Sequence, residues 1–126
     1  MAKRKIIEIP GLSHATPIPI GAKIGNMVFS SAISGRDAET NEWPKDSDKQ
    51  AEVLIRNIRK FMELAGGKPD DIGHMTVSLK EERYRDSINK EWLKMFPPKE
   101  DRPARHAIQV NVRSEVLFQI DLIAVL

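Results

Sequence analysis

The most constraining feature of this sequence is its end. Glu115 to Leu126 (EVLFQIDLIAVL) alternates in the two-residue period of a β-strand, so successive side chains point to opposite faces. Phe118, Ile120, Leu122 and Ala124 make one wholly apolar face. Leu117, Gln119, Asp121, Ile123 and Val125 make a mixed one. Ala104 to Val112 (ARHAIQVNV) alternates as strictly, with Arg105, Ala107, Gln109 and Asn111 on one face and His106, Ile108, Val110 and Val112 on the other. The apolar face of such a sheet has to be covered. The opposite face, expected to carry Arg105, Gln109, Gln119 and Asp121 among apolar residues, is too apolar for water and too polar for an ordinary core. Packing against other copies of the chain about a symmetry axis resolves that conflict, and predicts a small oligomer with polar pockets at its seams.

The remaining elements supply the cover. Lys5 to Ile9 (KIIEI) reads as a short strand ending at Pro10-Gly11. His14 to Gly21, with two prolines, reads as an extended edge or loop, because proline cannot donate to a sheet ladder. Asn26 to Ile33 (NMVFSSAI) is a strand, followed by a polar loop over Ser34 to Asp46. Ser47-Asp48-Lys49-Gln50 fits the S-x-x-Q capping box of a helix whose buried stripe is Leu54, Ile58, Phe61, Met62 and Ala65. Gly66-Gly67 caps its end and Pro69 prevents resumption. His74 to Lys80 alternates as a strand. Glu82 to Phe96 is a second helix with Tyr84, Ile88, Trp92 and Phe96 in its stripe and Leu93 alongside, stopped by Pro97-Pro98. The order ββαβαββ, with two amphipathic helices, predicts an α+β fold: one sheet, two helices on one face, as a single domain over residues 1–126.

Composition narrows the chemistry. The absence of cysteine excludes a disulfide scaffold, a thiol nucleophile and a thiolate metal site. No apolar run approaches the ~20 residues of a membrane-spanning helix, and the first ten residues do not read as a signal peptide, so the cytoplasm is the expected compartment. Twenty basic against eighteen acidic residues give a net charge of +2. Lys3, Arg4 and Lys5 account for three of the positives, leaving seventeen against eighteen over the rest. The charges are interleaved, as in Glu81-Glu82-Arg83 and Lys99-Glu100-Asp101-Arg102, which is the pattern of a solvated surface and not of a nucleic-acid-binding face.

Arg105 is the foremost candidate for chemistry. Its guanidinium is permanently charged and matches a carboxylate through two parallel hydrogen bonds. It could equally serve a surface or interface salt bridge. Gln119 and Asp121 are expected on the Arg105 side of the sheet. There a carboxylate could position or deprotonate water, whereas an amide could only orient it, and Asp121 could also be a plain counter-ion. His106 falls on the apolar face of its strand and reads as a core histidine. His14 sits beside Ser13 in a loop, and His74 opens a strand. None of the three has HxH or HExxH spacing, so neither a metal nor a cofactor is called for.

A set of segments, taken in order, is more specific than any of these residues alone. They are Gly25 through Ser31 (GNMVFSS), Gln50 through Gly66 (QAEVLIRNIRKFMELAG), Asp70-Asp71-Ile72, Met75 through Lys80 (MTVSLK), Asn89, Pro103-Ala104-Arg105, and Ile120 through Val125 (IDLIAV). The chain resembles the RidA/YjgF family of enamine and imine deaminases, also described as L-PSP endoribonucleases, over essentially its full length. The resemblance implies a chorismate-mutase-like α+β fold and a homotrimer with three intersubunit clefts. It implies that Arg105 binds a substrate carboxylate, that Ser31 lines the cleft and that Asn89 lies near the pocket.

The chain departs from the family pattern at several positions. Ile18 stands where the family usually has a tyrosine, Ala32 where it has glycine, and His106 where it has a small residue. Gln119 stands where RidA has a water-activating glutamate, while the acid two residues on is retained as Asp121. The function expected is hydrolytic release of ammonia from small carboxylate-bearing imines or enamines. Arg105 would clamp the carboxylate and Gln119 would orient water. Ser31, Ile18, Asn89, backbone groups near Ala107, and Asp121 would complete the pocket. The alternatives are a non-catalytic trimer that binds small carboxylates at the same clefts and, with less support from the charge pattern, an endoribonuclease.

Overall fold

The computed structural model describes residues 2–113 and 115–126. Seven strands form one sheet: β1 (Lys5–Ile7), β2 (Gly21–Ile24), β3 (Met27–Ser30), β4 (Ile33–Ser34), β5 (Ile72–Leu79), β6 (Ala104–Gln109) and β7 (Phe118–Val125). Their spatial order is β1-β2-β3-β7-β5-β6, and β4 also pairs with β7. Only β5 and β6 run parallel; every other pair is antiparallel. β7 lies at the centre, bonded to β3 and β4 along one edge and to β5 along the other. Phe118, Ile120, Leu122 and Ala124 are all buried, as are Met75, Val77 and Leu79 beside them on β5. They pack against the two helices α1 (Ser47–Ala65) and α2 (Arg85–Met95) in one core. Each such aliphatic or aromatic side chain contributes about 1.5–3 kcal/mol on burial.

Three elements differ from the sequence reading. Residues 22–24, left unassigned by the sequence pattern, join Gly21 in β2, which turns back through the two residues Gly25-Asn26, with Gly25 at φ 58°. A glycine in the left-handed region at the first turn position is what a tight hairpin asks for. Gly21 itself lies against the Phe61 ring, where a Cβ would come within 2.4 Å of ring carbons. The expected strand Asn26–Ile33 breaks into β3 and β4. The register on β7 slips by one residue between Phe29↔Ile123 and Ile33↔Ile120. At the slip, the Leu122 amide donates to the Ser30 hydroxyl (2.9 Å). That bond satisfies a buried donor that the interrupted ladder would orphan. The second helix is likewise divided into a 3₁₀ turn at Glu82–Tyr84 followed by α2, and Leu93 is exposed instead of joining the core.

The start of α1 is also displaced. Asp46, not Ser47, is the N-cap, its carboxylate accepting from the Lys49 amide at 3.0 Å. A carboxylate is a stronger acceptor than a hydroxyl at the positive end of a helix. Gln50 is thereby released from any capping role and is fully buried. Its Nε2 donates to the Pro44 and Glu115 carbonyls (2.8 and 3.1 Å), and its Oε1 accepts from the Leu117 amide (2.9 Å). Two turns on, buried Asn57 donates to the Ser34 and Arg36 carbonyls, both at 2.9 Å. Two amides on one helix face therefore hold the segment leading into β7 and the loop after β4. The C-terminal end matches expectation, with Gly66 at φ 87°.

Replacing Gln50 by leucine keeps the volume but orphans three backbone groups. Urea unfolding of Gln50→Leu is expected to show a loss of about 2–4 kcal/mol, whereas Lys49→Leu at the exposed neighbouring position should change stability by less than about 0.5 kcal/mol.

Candidate functional site

The register of β5 against its neighbours decides where the candidate residues face. Met75 pairs with both Arg105 and Leu122, and Val77 with both Ala107 and Ile120. Arg105 and Ala107 therefore lie on the helix-covered side. Thr76 pairs with His106 and Asp121, and Ser78 with Ile108 and Gln119, which puts all six on the open side. Both strands alternate as expected, but the relative phase is opposite to the expected one. Gln119 and Asp121 do not share a face with Arg105. His106, expected in the core, is exposed. The reason is that β6 is an edge strand whose helix-facing side is only partly roofed, so a cation fits there beside α2. The apolar alternates of β6 instead join the outer face.

Arg105 is held by α2. Its Nη2 donates to Asn89 Oδ1 at 2.7 Å, and its guanidinium carbon lies 4.9 Å from the centroid of the Trp92 ring. The ring face attracts the cation and fixes its plane. Nη1 is buried and has no hydrogen-bond partner, and no carboxylate pairs with this guanidinium among the described residues. Burial, followed by the like charge of Arg85, pushes its pKa below the usual arginine value, yet the group stays charged at neutral pH. Asn89, Trp92, Leu93 and Arg105 line a shallow recess. Beside it, β6 is the last strand of the sheet, so among the described residues no strand pairs with one edge of its backbone around Ala107. Asn89 is thus a brace for Arg105. Trp92, read from the sequence only as a core residue, is a second brace that the helical spacing could not distinguish from packing.

Gln119 belongs to another cleft, of about 450 Å³, whose walls include His14, Ser34, Arg36, Trp43, Asn111 and Arg113. Ser31 lies by the loop before β2. Its amide donates to Ile20 O and its hydroxyl to Pro19 O, at 2.7 and 2.8 Å. With its proton engaged, that hydroxyl offers lone pairs only. Ile18 projects from the same loop and is about half exposed. Asp121 is half-buried on the open side, and its carboxylate has no ion pair or hydrogen bond among the described residues. One chain therefore brings Arg105, Asn89 and Ala107 together, and sets Gln119, Asp121, Ser31 and Ile18 apart from them. Among the described residues no group of three His, Cys, Asp or Glu side chains is placed to hold a metal ion, and no helix is long and apolar enough to cross a membrane.

Comparison with known proteins agrees with the sheet and the helices. Residues 14–126 match the sequence model of the family described as Endoribonuclease L-PSP, and the chain belongs to that family. Within it, the chain is similar to proteins of the RidA/YjgF type. It is 33% identical to a RutC family protein of Pyrococcus abyssi over 98% of each chain, and 30% identical over 97% of each to TdcF of Escherichia coli K12, named as a reactive intermediate deaminase. The crystal structure of E. coli TdcF with bound serine superposes with a TM-score of 0.88 at 30% identity, covering 97% of this chain and 98% of that one. RidA of the Antarctic bacterium Psychrobacter sp. PAMC 21119 gives 0.88 at 28% identity, covering 98% and 100%. The mixed sheet with two helices inferred from the sequence is the fold of these proteins.

Because Asn89 satisfies one N–H of a partly buried cation, Asn89→Leu is expected to cost about 1–3 kcal/mol in urea unfolding. In a Trp43→Phe background, where Trp92 is the sole indole, the same substitution should shift the tryptophan emission as the guanidinium loses its fixed plane. An unchanged spectrum and unchanged stability would show that the brace carries no energy.

Proposed function

We propose that this chain is a cytoplasmic hydrolytic deaminase of small carboxylate-bearing imines or enamines, acting as a homotrimer at clefts between subunits. The observation that carries the reading is the state of Arg105. A partly buried cation with a buried, unmet donor and, among the described residues, no acid of its own is costly unless a ligand supplies the missing charge. A carboxylate would do so through two charge-assisted hydrogen bonds. That the TdcF crystal structure holds serine, itself a carboxylate, supports the same ligand class here.

The separation of the parts supports an assembly of copies, which the family resemblance makes a trimer. Arg105 and Gln119 lie on opposite sides of one sheet, so a single pocket containing both needs a neighbouring copy. The open side supplies a surface for that contact: Met27, Phe29, Ile123 and Val125 are 38, 36, 40 and 49% exposed on adjoining strands. Covering such a patch is favourable at about 25 cal/mol per Å².

In the proposed reaction, Arg105 holds the carboxylate and so sets the C=N carbon in place. Water oriented by the Gln119 carbonyl oxygen adds to that carbon. One of its protons passes to the nitrogen to give a carbinolamine, the hydroxyl proton then follows as the C=O bond forms and the carbon–nitrogen bond breaks, and ammonia leaves with a 2-oxo acid as product. The Ser31 lone pairs and the open backbone edge near Ala107 accept from the nitrogen end. Ile18 forms an apolar wall, and Asp121 is the nearest acid on the Gln119 strand. An imine is already electrophilic, so orientation supplies much of the acceleration that a strong base would otherwise provide.

A second reading rests on Gln119 itself. An amide cannot take a proton from water at neutral pH, so the same cleft could bind small carboxylates without turnover. RNA cleavage, the activity in the family's description, draws least support, because acids and bases are interleaved over the surface.

Ammonia release from 2-iminopropionate, generated in situ by an amino-acid oxidase, tests the proposal. Arg105→Ala should lower kcat/KM by at least about 100-fold while leaving the fold intact, and Arg105→Lys should recover little, since an ammonium lacks the planar fork. Equal rates for wild type and Arg105→Ala would end the catalytic reading, and calorimetric binding of 2-oxobutyrate without any turnover would favour the binding one. Ile123→Asp tests the assembly: light scattering should show a trimer converted to monomer, with loss of ammonia release. A variant that stays trimeric places the interface elsewhere.

A further inference from the structure

The Gln119 cleft contains more positive charge than a single carboxylate on Arg105 requires. Arg36 and Arg113 both line it, with His14, Asn111 and Gln119, and no aspartate or glutamate does. Among the described residues neither arginine has an ion pair. Among the described residues the Arg36 side chain makes one hydrogen bond, a long one from Nη2 to the neutral Gly11 carbonyl at 3.3 Å. The neighbouring Asp37, which could have neutralised it, is committed elsewhere, to Arg56 at 3.0 Å and to the Glu39 and Thr40 amides. The Nε2 of His14 is buried in the wall of the cleft without a hydrogen-bond partner. The arrangement is also held in place: Asn57 fixes the backbone at Arg36 and Gln50 fixes the segment entering β7. Two unneutralised guanidinium groups, an unmet ring nitrogen and two side-chain amides around one space are the makings of an anion site.

We propose that this cleft receives a second acid group of the substrate, so that the preferred substrates are small imines or enamines of dicarboxylates. One carboxylate goes to the partner subunit's Arg105 and the other to Arg36 and Arg113. The proposal deepens the deaminase reading and rests on it for turnover, but the anion site itself can be tested without turnover. A neutral amide at Gln119 suits this role, because a carboxylate there would repel the incoming acid.

The test uses the intact oligomer and two stable 2-oxo acids, 2-oxoglutarate and 2-oxobutyrate, titrated by calorimetry at low ionic strength. The dicarboxylate should bind at least about 10-fold more tightly. Arg36→Gln/Arg113→Gln should reduce it to the level of 2-oxobutyrate and leave the latter's Kd within about 2-fold. Arg113 is exposed and its side chain makes no hydrogen bond or ion pair among the described residues, so Arg113→Gln alone should leave the fold intact and cost the dicarboxylate at least about 3-fold. Equal affinities in the wild type, or a preference that survives the double substitution, would overturn the proposal. A kinetic arm compares imines formed by D-aspartate oxidase from D-glutamate and by D-amino-acid oxidase from D-alanine. The ratio of their kcat/KM values should fall with the same substitutions. If neither imine is turned over while the arginine-dependent preference in binding persists, the deaminase reading fails and the anion site stands.

Discussion

The burial of one face of β7 is the constraint on which the rest of the molecule depends. This strand is bonded on both edges and roofed by α1 and α2, so its register cannot slip by one residue without exposing Phe118, Ile120, Leu122 and Ala124. Once those four face inward, Gln119, Asp121, Ile123 and Val125 have no choice but to face outward. The neighbouring strands are phased by the same requirement, through Met75 and Val77, and that phase carries Arg105 to the helix side. The positions of the polar candidates are thus by-products of hydrophobic packing on the opposite side of the same strands.

Two polar loci result, and they are stabilised differently. Arg105 lies against an aromatic ring and a neutral amide on α2, which orient it without cancelling its charge. Burial disfavours that charge, and no acid among the described residues relieves it. At the second locus, α1 reaches across with Gln50 and Asn57 and spends both amides on backbone groups, so that Arg36 and the segment near Arg113 are held open around Gln119. The proposed reaction needs both loci, and the proposed assembly of copies rests on their separation together with an apolar patch on the open side.

Much of this was legible in the linear pattern because the pattern is a direct record of burial. The stripe Leu54, Ile58, Phe61, Met62 and Ala65 is buried as its spacing demands, and the Met75, Val77, Leu79 alternation is buried on one side. Gly66 caps α1 in the left-handed conformation that only a residue without a Cβ takes at no cost. The missed elements are those in which local signals compete. Gly-Asn preceded by the four residues of β2 is a hairpin signal, but the prolines upstream read as loop. Ser47 and Asp46 are both credible caps, and the stronger acceptor prevails. Ser30 and Ser31 look like ordinary strand residues, yet one patches the break in the ladder and the other ties back to Pro19.

The sequence by itself determined the number and type of the main elements, the core side of each, and the presence of an arginine suited to a carboxylate, because each of these follows from short-range periodicity and side-chain chemistry. Only the tertiary structure decided which side of the sheet each polar residue occupies relative to the others. Alternation within a strand defines two faces, but it does not say which face of one strand continues which face of the next. That depends on interstrand register, a long-range property. Arg105 beside Trp92, Gln119 beside Arg36, and the distance of one pair from the other were for that reason invisible in the chain.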